Sequence, residues 1–131
     1  MNGTISMLGF FHGRLAIALL LFAFALAVWG TVAYVIRRRV SPGYRSSFLI
    51  MIGLTAVQGL LGLAALILGG RPHEILHVVY GIFAVLFLPA IFFWVSRGGE
   101  SKDALAREAL FMTIASWVVA VAYVRGFMTG S

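Results

Sequence analysis

Residues 15–36 read LAIALLLFAFALAVWGTVAYVI, a run without a single charged side chain. A helix of roughly 20 apolar residues crosses the hydrocarbon core of a bilayer, so this run is long enough to do so. The whole chain has the same bias, since 62% of its 131 residues are hydrophobic and only 11% are charged. Soluble domains carry about 25% charged residues. The composition therefore predicts a protein embedded in a membrane.

Three further apolar runs follow, and each must be helical because lipid offers no partner to free backbone groups. The predicted spans cover about residues 10–36, 48–68, 75–95 and 104–124. The links between them are short, which favours antiparallel neighbours. We predict an all-α membrane protein in which residues 1–131 form a single domain of four transmembrane helices. The helices are expected in an up-down antiparallel bundle with both termini outside.

The basic residues predict the orientation, because cytoplasmic links are enriched in Lys and Arg. The links 37–47 and 97–103 hold most of them, and we place both in the cytoplasm of a bacterial cell, with the chain in its cytoplasmic membrane. No basic cluster precedes the first run, so we expect a resident helix and not a cleaved signal peptide. The net charge of +6 is then explained by topology and by the lipid bilayer as partner, and no nucleic-acid partner is expected.

The three histidines, His12, His73 and His77, all fall on the predicted outer side. Residues 73–77 read HEILH, which matches the H-E-x-x-H pattern of zinc hydrolases. A catalytic zinc also needs a third protein ligand. His12 is the sole candidate on this side, because the acidic residues after position 74 are predicted inside. The link 69–74 is also too short to build a substrate cleft, so a zinc hydrolase is the least favoured interpretation.

A b-type haem held by two histidines on facing helices fits the pattern better. Each of His12 and His77 has a small residue four positions later, Ala16 and Gly81, on the same helix face. Helix lengths place His77 about 27 Å and His12 about 36 Å from the inner ends of their spans, so the pair meets only if the helix ends are staggered or span one tilts. Four outer residues are candidates to bind haem propionates, namely Arg14, Arg71, Arg125 and His73. The absence of cysteine excludes a covalently attached c-type haem.

The order of three motifs, His12-Gly13-Arg14, then Gln58-Gly59-x-x-Gly62, then a proline five residues before His77, resembles one half of the haem A synthase family. Members of that family look like two fused four-helix bundles, each with a pair of histidines positioned for haem. The resemblance covers about residues 9–95 and implies His12 and His77 as the axial pair, with Gln58 nearby. The family's acidic residue before the first histidine and its cysteines are not found here, so the resemblance implies the haem-binding bundle and not the synthase activity.

The function predicted from the sequence is a membrane b-type cytochrome-like subunit that binds one haem b near the outer face through His12 and His77 as iron ligands. A six-coordinate iron has no open position for substrate, which favours electron transfer over a free-standing enzyme. We expect other membrane subunits of a respiratory or photosynthetic complex as partners and quinone as a candidate nearby. Two alternatives stay open, a chlorophyll-type pigment held by a histidine and a cofactor-free structural or accessory subunit.

Overall fold

A computed structural model describes residues 2–69 and 75–130, and these residues form four helices. The helices are α1 (Asn2–Arg37), α2 (Pro42–Ile67), α3 (Leu76–Ser96) and α4 (Lys102–Gly130). No described residue lies in a β-strand. All four helices are long and apolar enough to cross a membrane. The chain is therefore an all-α integral membrane protein, as its composition predicts.

Helices α1, α2 and α4 are longer than the apolar runs that predict them, whereas α3 has the predicted length. α1 already begins at Asn2 and α4 continues to Gly130. α2 begins at Pro42, because the Ser41 hydroxyl accepts a hydrogen bond from the Tyr44 backbone N–H at 3.1 Å and proline suits the first helical position. Hydropathy marks only the lipid-facing part of a helix, so polar turns beyond it are missed. A turn follows α2 at Gly69, which adopts φ +103°.

Each helix packs against two others, in the closed order α1, α2, α3, α4 and back to α1. Core positions alternate in steps of four and three residues, which is the spacing of helix bundles. On α2 the buried residues Tyr44, Phe48, Met51 and Thr55 follow this spacing. The other helices contribute to one continuous core, which includes Leu19, Ala23, Leu26, Leu88, Val95, Met112 and Val119.

One end of the bundle carries an ion pair between Arg45 of α2 and Glu108 of α4. We call it the arginine end, and we call the opposite end, with His12 and His77, the histidine end. Glu108 is among the acidic residues predicted on the inner side, and its side chain is only 7% exposed. The hydroxyls of Tyr44 and Ser116 are 3.1 Å apart, so polar contacts link α2 with α4 through the bundle interior.

Candidate functional site

The imidazole rings of His12 on α1 and His77 on α3 meet at the histidine end. Their Nε2 atoms are 3.4 Å apart, the ring centroids 5.7 Å apart, and the ring planes are inclined by 74°. The two helices are diagonal in the packing order, so the rings meet across the bundle axis. The helix ends are staggered, since ten residues of α1 precede His12 and one residue of α3 precedes His77. This stagger removes the mismatch in helix length.

A backbone carbonyl of α4 orients the ring of His77. The Nδ1 atom of His77 lies 2.8 Å from the carbonyl oxygen of Gly126. A carbonyl oxygen only accepts, so His77 Nδ1 carries the ring proton and His77 Nε2 keeps its lone pair. Histidines that bind metals usually have such a partner for their second nitrogen, because it fixes the tautomer and the ring orientation.

The ring of His12 lies against α2. A Cβ on Gly62 would be 3.1 Å from His12 Cε1, so only a glycine lets the ring come this close. One turn earlier on the same face, the Gln58 side-chain amide donates to the backbone carbonyl of His12 at 2.8 Å. This bond supplies the partner that a glutamine within an apolar helix needs. The His12 Nδ1 atom is buried and has no hydrogen-bond partner in the described part of the chain.

Small residues surround the pair where deeper layers of the core hold Leu, Met and Phe. The core spacing of α1 and α3 continues to Ala16 and Gly81, and that of α2 to Gly62. A Cβ on Gly81 would meet nothing within 4 Å, and the same holds at Gly126. Gly81 is also exposed. Packing between the described residues therefore does not require glycine at these two positions.

Two of the four residues predicted to bind propionates lie within the described chain, and both are exposed near the histidines. Arg14 is two residues after His12, and its guanidinium lies 5.2 Å from the centroid of the Phe10 ring. Arg125 directly precedes Gly126, whose carbonyl binds His77. Arg71 and His73, the other two candidates, lie outside the described residues.

Residues 2–69 and 75–130 bring His12, the candidate third ligand of the zinc interpretation, beside His77. Within these ranges no group of three His, Cys, Asp or Glu side chains comes together. His73 and Glu74 of the HEILH pattern lie outside the described residues. His77 turns its Nε2 toward His12, across the bundle.

Sequence reasoning missed two polar contacts at this end. The Gly126 carbonyl as partner of His77 has no sequence signal, because any residue there offers the same backbone oxygen. The Thr55 hydroxyl bonds to the Tyr123 hydroxyl, one turn below Gln58 on α2. A signal existed for this contact, since Thr55 continues the core spacing of α2 and a polar residue in that register needs a partner.

No family model, no curated protein and no solved structure matches the chain. The resemblance to one half of the haem A synthase family is therefore carried by the quoted motifs alone.

Proposed function

We propose that this chain is a membrane b-type cytochrome-like subunit that binds one haem through His12 and His77 and transfers electrons. The observation that carries the proposal is the approach of the two Nε2 atoms to 3.4 Å across the bundle. A metal–imidazole bond is about 2.0 Å long, so two ligands on opposite sides of one metal have nitrogens about 4 Å apart. The observed separation is slightly shorter, so the rings would have to move apart to hold a metal between them.

The protonation pattern of His77 is compatible with the same role. His77 Nδ1 carries the proton, so a plain hydrogen bond between the rings requires the proton of His12 on Nε2. His12 Nδ1 would then be a buried acceptor without a partner, which costs about 1–3 kcal/mol. If both Nε2 atoms were metal ligands, the ring proton of His12 would be on Nδ1, which would then be a buried donor without a partner among the described residues.

The surroundings of the pair fit a flat, anionic cofactor. Packing between the described residues does not require glycine at Gly81 or Gly126, and Gly62 allows His12 to lie close to α2. Arg14 and Arg125 lie at the same end and offer positive charge to propionates, while Arg71 and His73 stay candidates for the same task. When bound, the haem supplies reversible one-electron chemistry. His12 and His77 would hold the iron from both sides, which would leave no position for substrate and suits electron transfer.

Contacts along the helices support the up-down antiparallel order. The start of α1 meets the end of α2 at Gly62, and its end meets the start of α2, where the rings of Trp29 and Tyr44 are 5.2 Å apart. The distribution of arginines then favours the links 37–47 and 97–103 in the cytoplasm and the histidine end outside. We propose a bacterial cytoplasmic membrane as the location and other subunits of a respiratory or photosynthetic complex as partners, with quinone nearby.

A reduced-minus-oxidised absorption spectrum of the purified protein tests the proposal. We expect a sharp α-band at a b-type position, and we expect His12→Ala and His77→Ala each to abolish it. The matched control is His73→Ala, which should keep the band because His73 is not assigned to the iron. A wild-type protein that takes up no haem, or an α-band that survives His77→Ala and is lost in His73→Ala, would refute this assignment.

One observation favours a second candidate, a cofactor-free structural or accessory subunit. A separation of 3.4 Å between the Nε2 atoms of His12 and His77 is also within reach of a hydrogen bond, which would fasten α1 to α3. This candidate predicts no α-band in the wild-type protein. It also predicts that His77→Ala lowers the thermal stability of the bundle in detergent, whether or not haem is supplied.

A further inference from the structure

Two buried polar atoms without a partner lie at the contact between α1 and α2. They are His12 Nδ1 and Gln58 Oε1, and neither has a hydrogen-bond partner in the described part of the chain. The Gln58 amide nitrogen is held at 2.8 Å from the His12 carbonyl, which places this side chain against the turn that carries the histidine. His12 Nδ1 would be 3.6 Å from a Cβ on Gly62, one turn after Gln58 on the same face of α2.

The two atoms have complementary hydrogen-bonding roles once His12 Nε2 binds a metal. The ring proton of His12 is then on Nδ1, which becomes a donor, and Gln58 Oε1 can only accept. They do not contact each other directly, because each would then count as the partner of the other. Buried polar groups left over in this way are commonly joined by an ordered water. One water that accepts from Nδ1–H and donates to Oε1 satisfies both.

We propose that Gln58 and one water bound between its Oε1 atom and His12 Nδ1 form the hydrogen-bonding partner of this axial ligand. The inference rests on the proposed haem ligation and adds a positioning residue to it. Gln58 fixes the backbone of His12 through its amide nitrogen and the tautomer of His12 through its amide oxygen. His77 has the equivalent support from the Gly126 carbonyl. A side chain can be replaced and a backbone carbonyl cannot, so Gln58 is the position at which this site can be tuned.

Two substitutions of Gln58 with side chains of nearly the same length separate its role as a hydrogen-bond acceptor from its role in packing. Gln58→Met removes both hydrogen bonds, whereas Gln58→Glu in its neutral form donates O–H to the His12 carbonyl and keeps an acceptor for the water. We expect Gln58→Met to weaken haem binding by about 10–100-fold and to shift the haem potential to more positive values, because His12 becomes a poorer electron donor. Gln58→Glu should restore affinity and potential toward wild type. Thr55→Val, one turn away on α2, is the control for a lost hydrogen bond and should leave the potential unchanged.

A direct readout comes from proton and ¹⁵N NMR of the reduced, diamagnetic haem protein with labelled histidine. The His12 Nδ1–H signal should exchange slowly with solvent in wild type and faster in Gln58→Met. The inference is overturned, with haem binding intact, if Gln58→Met keeps wild-type affinity, potential and exchange, or if Thr55→Val shifts the potential equally. A wild-type protein without an α-band overturns both the inference and the proposed function.

Discussion

Gly62 of α2 lies directly against the imidazole of His12: a Cβ at this position would be 3.1 Å from Cε1 and 3.6 Å from Nδ1. Such a distance is shorter than ordinary van der Waals contact, so any side chain here forces the ring or the helix to move. Small residues let membrane helices approach closely. The position of His12 Nε2, and with it the distance to His77, therefore depends on the absence of a side chain at Gly62.

We predict that Gly62→Val separates the two histidines. Its branched side chain displaces the His12 ring or pushes α1 from α2, and we expect a loss of about 1–3 kcal/mol in the stability of the bundle together with loss of the α-band. Thermal unfolding in detergent and the absorption spectrum measure the two effects. Gly13→Val is the matched control, because a Cβ at Gly13 meets nothing within 4 Å. Equal behaviour of the two variants would show that Gly62 does not position His12.

A second prediction concerns the position one turn after His77. Gly81 is exposed and a Cβ there meets no described residue within 4 Å, so we expect the helices to accommodate Gly81→Leu without moving. Leucine also favours a helix over glycine by roughly 0.8–1 kcal/mol. We expect a bundle that is as stable as wild type or more stable when no haem is supplied, but with haem uptake strongly reduced, because the leucine occupies the space proposed for the ring.

Haem titration of the cofactor-free protein measures haem uptake. The unfolding temperature of the same protein without haem measures the stability of the bundle. Gly53→Leu serves as the comparison, since Gly53 lies in mid-α2 and a Cβ there also meets nothing within 4 Å. It should gain helix stability and keep haem uptake. If Gly81→Leu takes up haem as well as Gly53→Leu does, the ring does not lie over Gly81.

The four helices could be predicted from the sequence because bilayer thickness sets a length that apolar runs reveal directly. Helix ends could not, since the residues at 42–47 are polar and read as a link. Their helical state depends on the Ser41 cap and on the contact between Arg45 and Glu108. The partner of Glu108 lies 63 positions away along the chain, and no local pattern indicates such a contact.

At the histidine end, the sequence could indicate which residue types are unusual and which small residues accompany them. The sequence predicts that His12 and His77 meet, and the two rings do contact each other. Their role as haem ligands stays a prediction. The sequence could not show that the Gly126 carbonyl fixes the tautomer of His77 or that His12 Nδ1 finds no partner among residues 2–69 and 75–130. These facts depend on distances below 4 Å between helices, which composition and spacing do not determine.

The arginine end offers a test of packing that is independent of haem. A Cβ on Gly30 would be 2.8 Å from the Tyr44 hydroxyl and would also collide with the Thr113 hydroxyl. We predict that Gly30→Ala destabilises the bundle by about 1–3 kcal/mol through overpacking, despite alanine's better helix propensity. Gly53→Ala, where a Cβ meets nothing within 4 Å, should be neutral or stabilising in the same unfolding experiment. A stable Gly30→Ala protein would mean that α1 and α4 are not as close as described.

The Arg45–Glu108 pair predicts an asymmetric response to substitution. The Glu108 side chain is 7% exposed and that of Arg45 is 37% exposed, so removal of the arginine leaves a buried carboxylate without its cation. We expect Arg45→Met to lower the unfolding free energy by roughly 1–3 kcal/mol. The double variant Arg45→Met with Glu108→Leu should recover much of this loss, because buried ion pairs replaced by apolar residues of similar size are often neutral in stability.

Unfolding of both variants in the same detergent measures the difference in their unfolding free energies. Arg39→Met removes an exposed arginine of the neighbouring link and controls for the change in net charge. That control should stay within about 0.5 kcal/mol of wild type, as is usual for surface positions. A double variant as unstable as Arg45→Met alone would show that the loss comes from the arginine's packing and not from the carboxylate left in the bundle. Because the pair lies at the end opposite His12 and His77, the α-band should persist in every variant that folds.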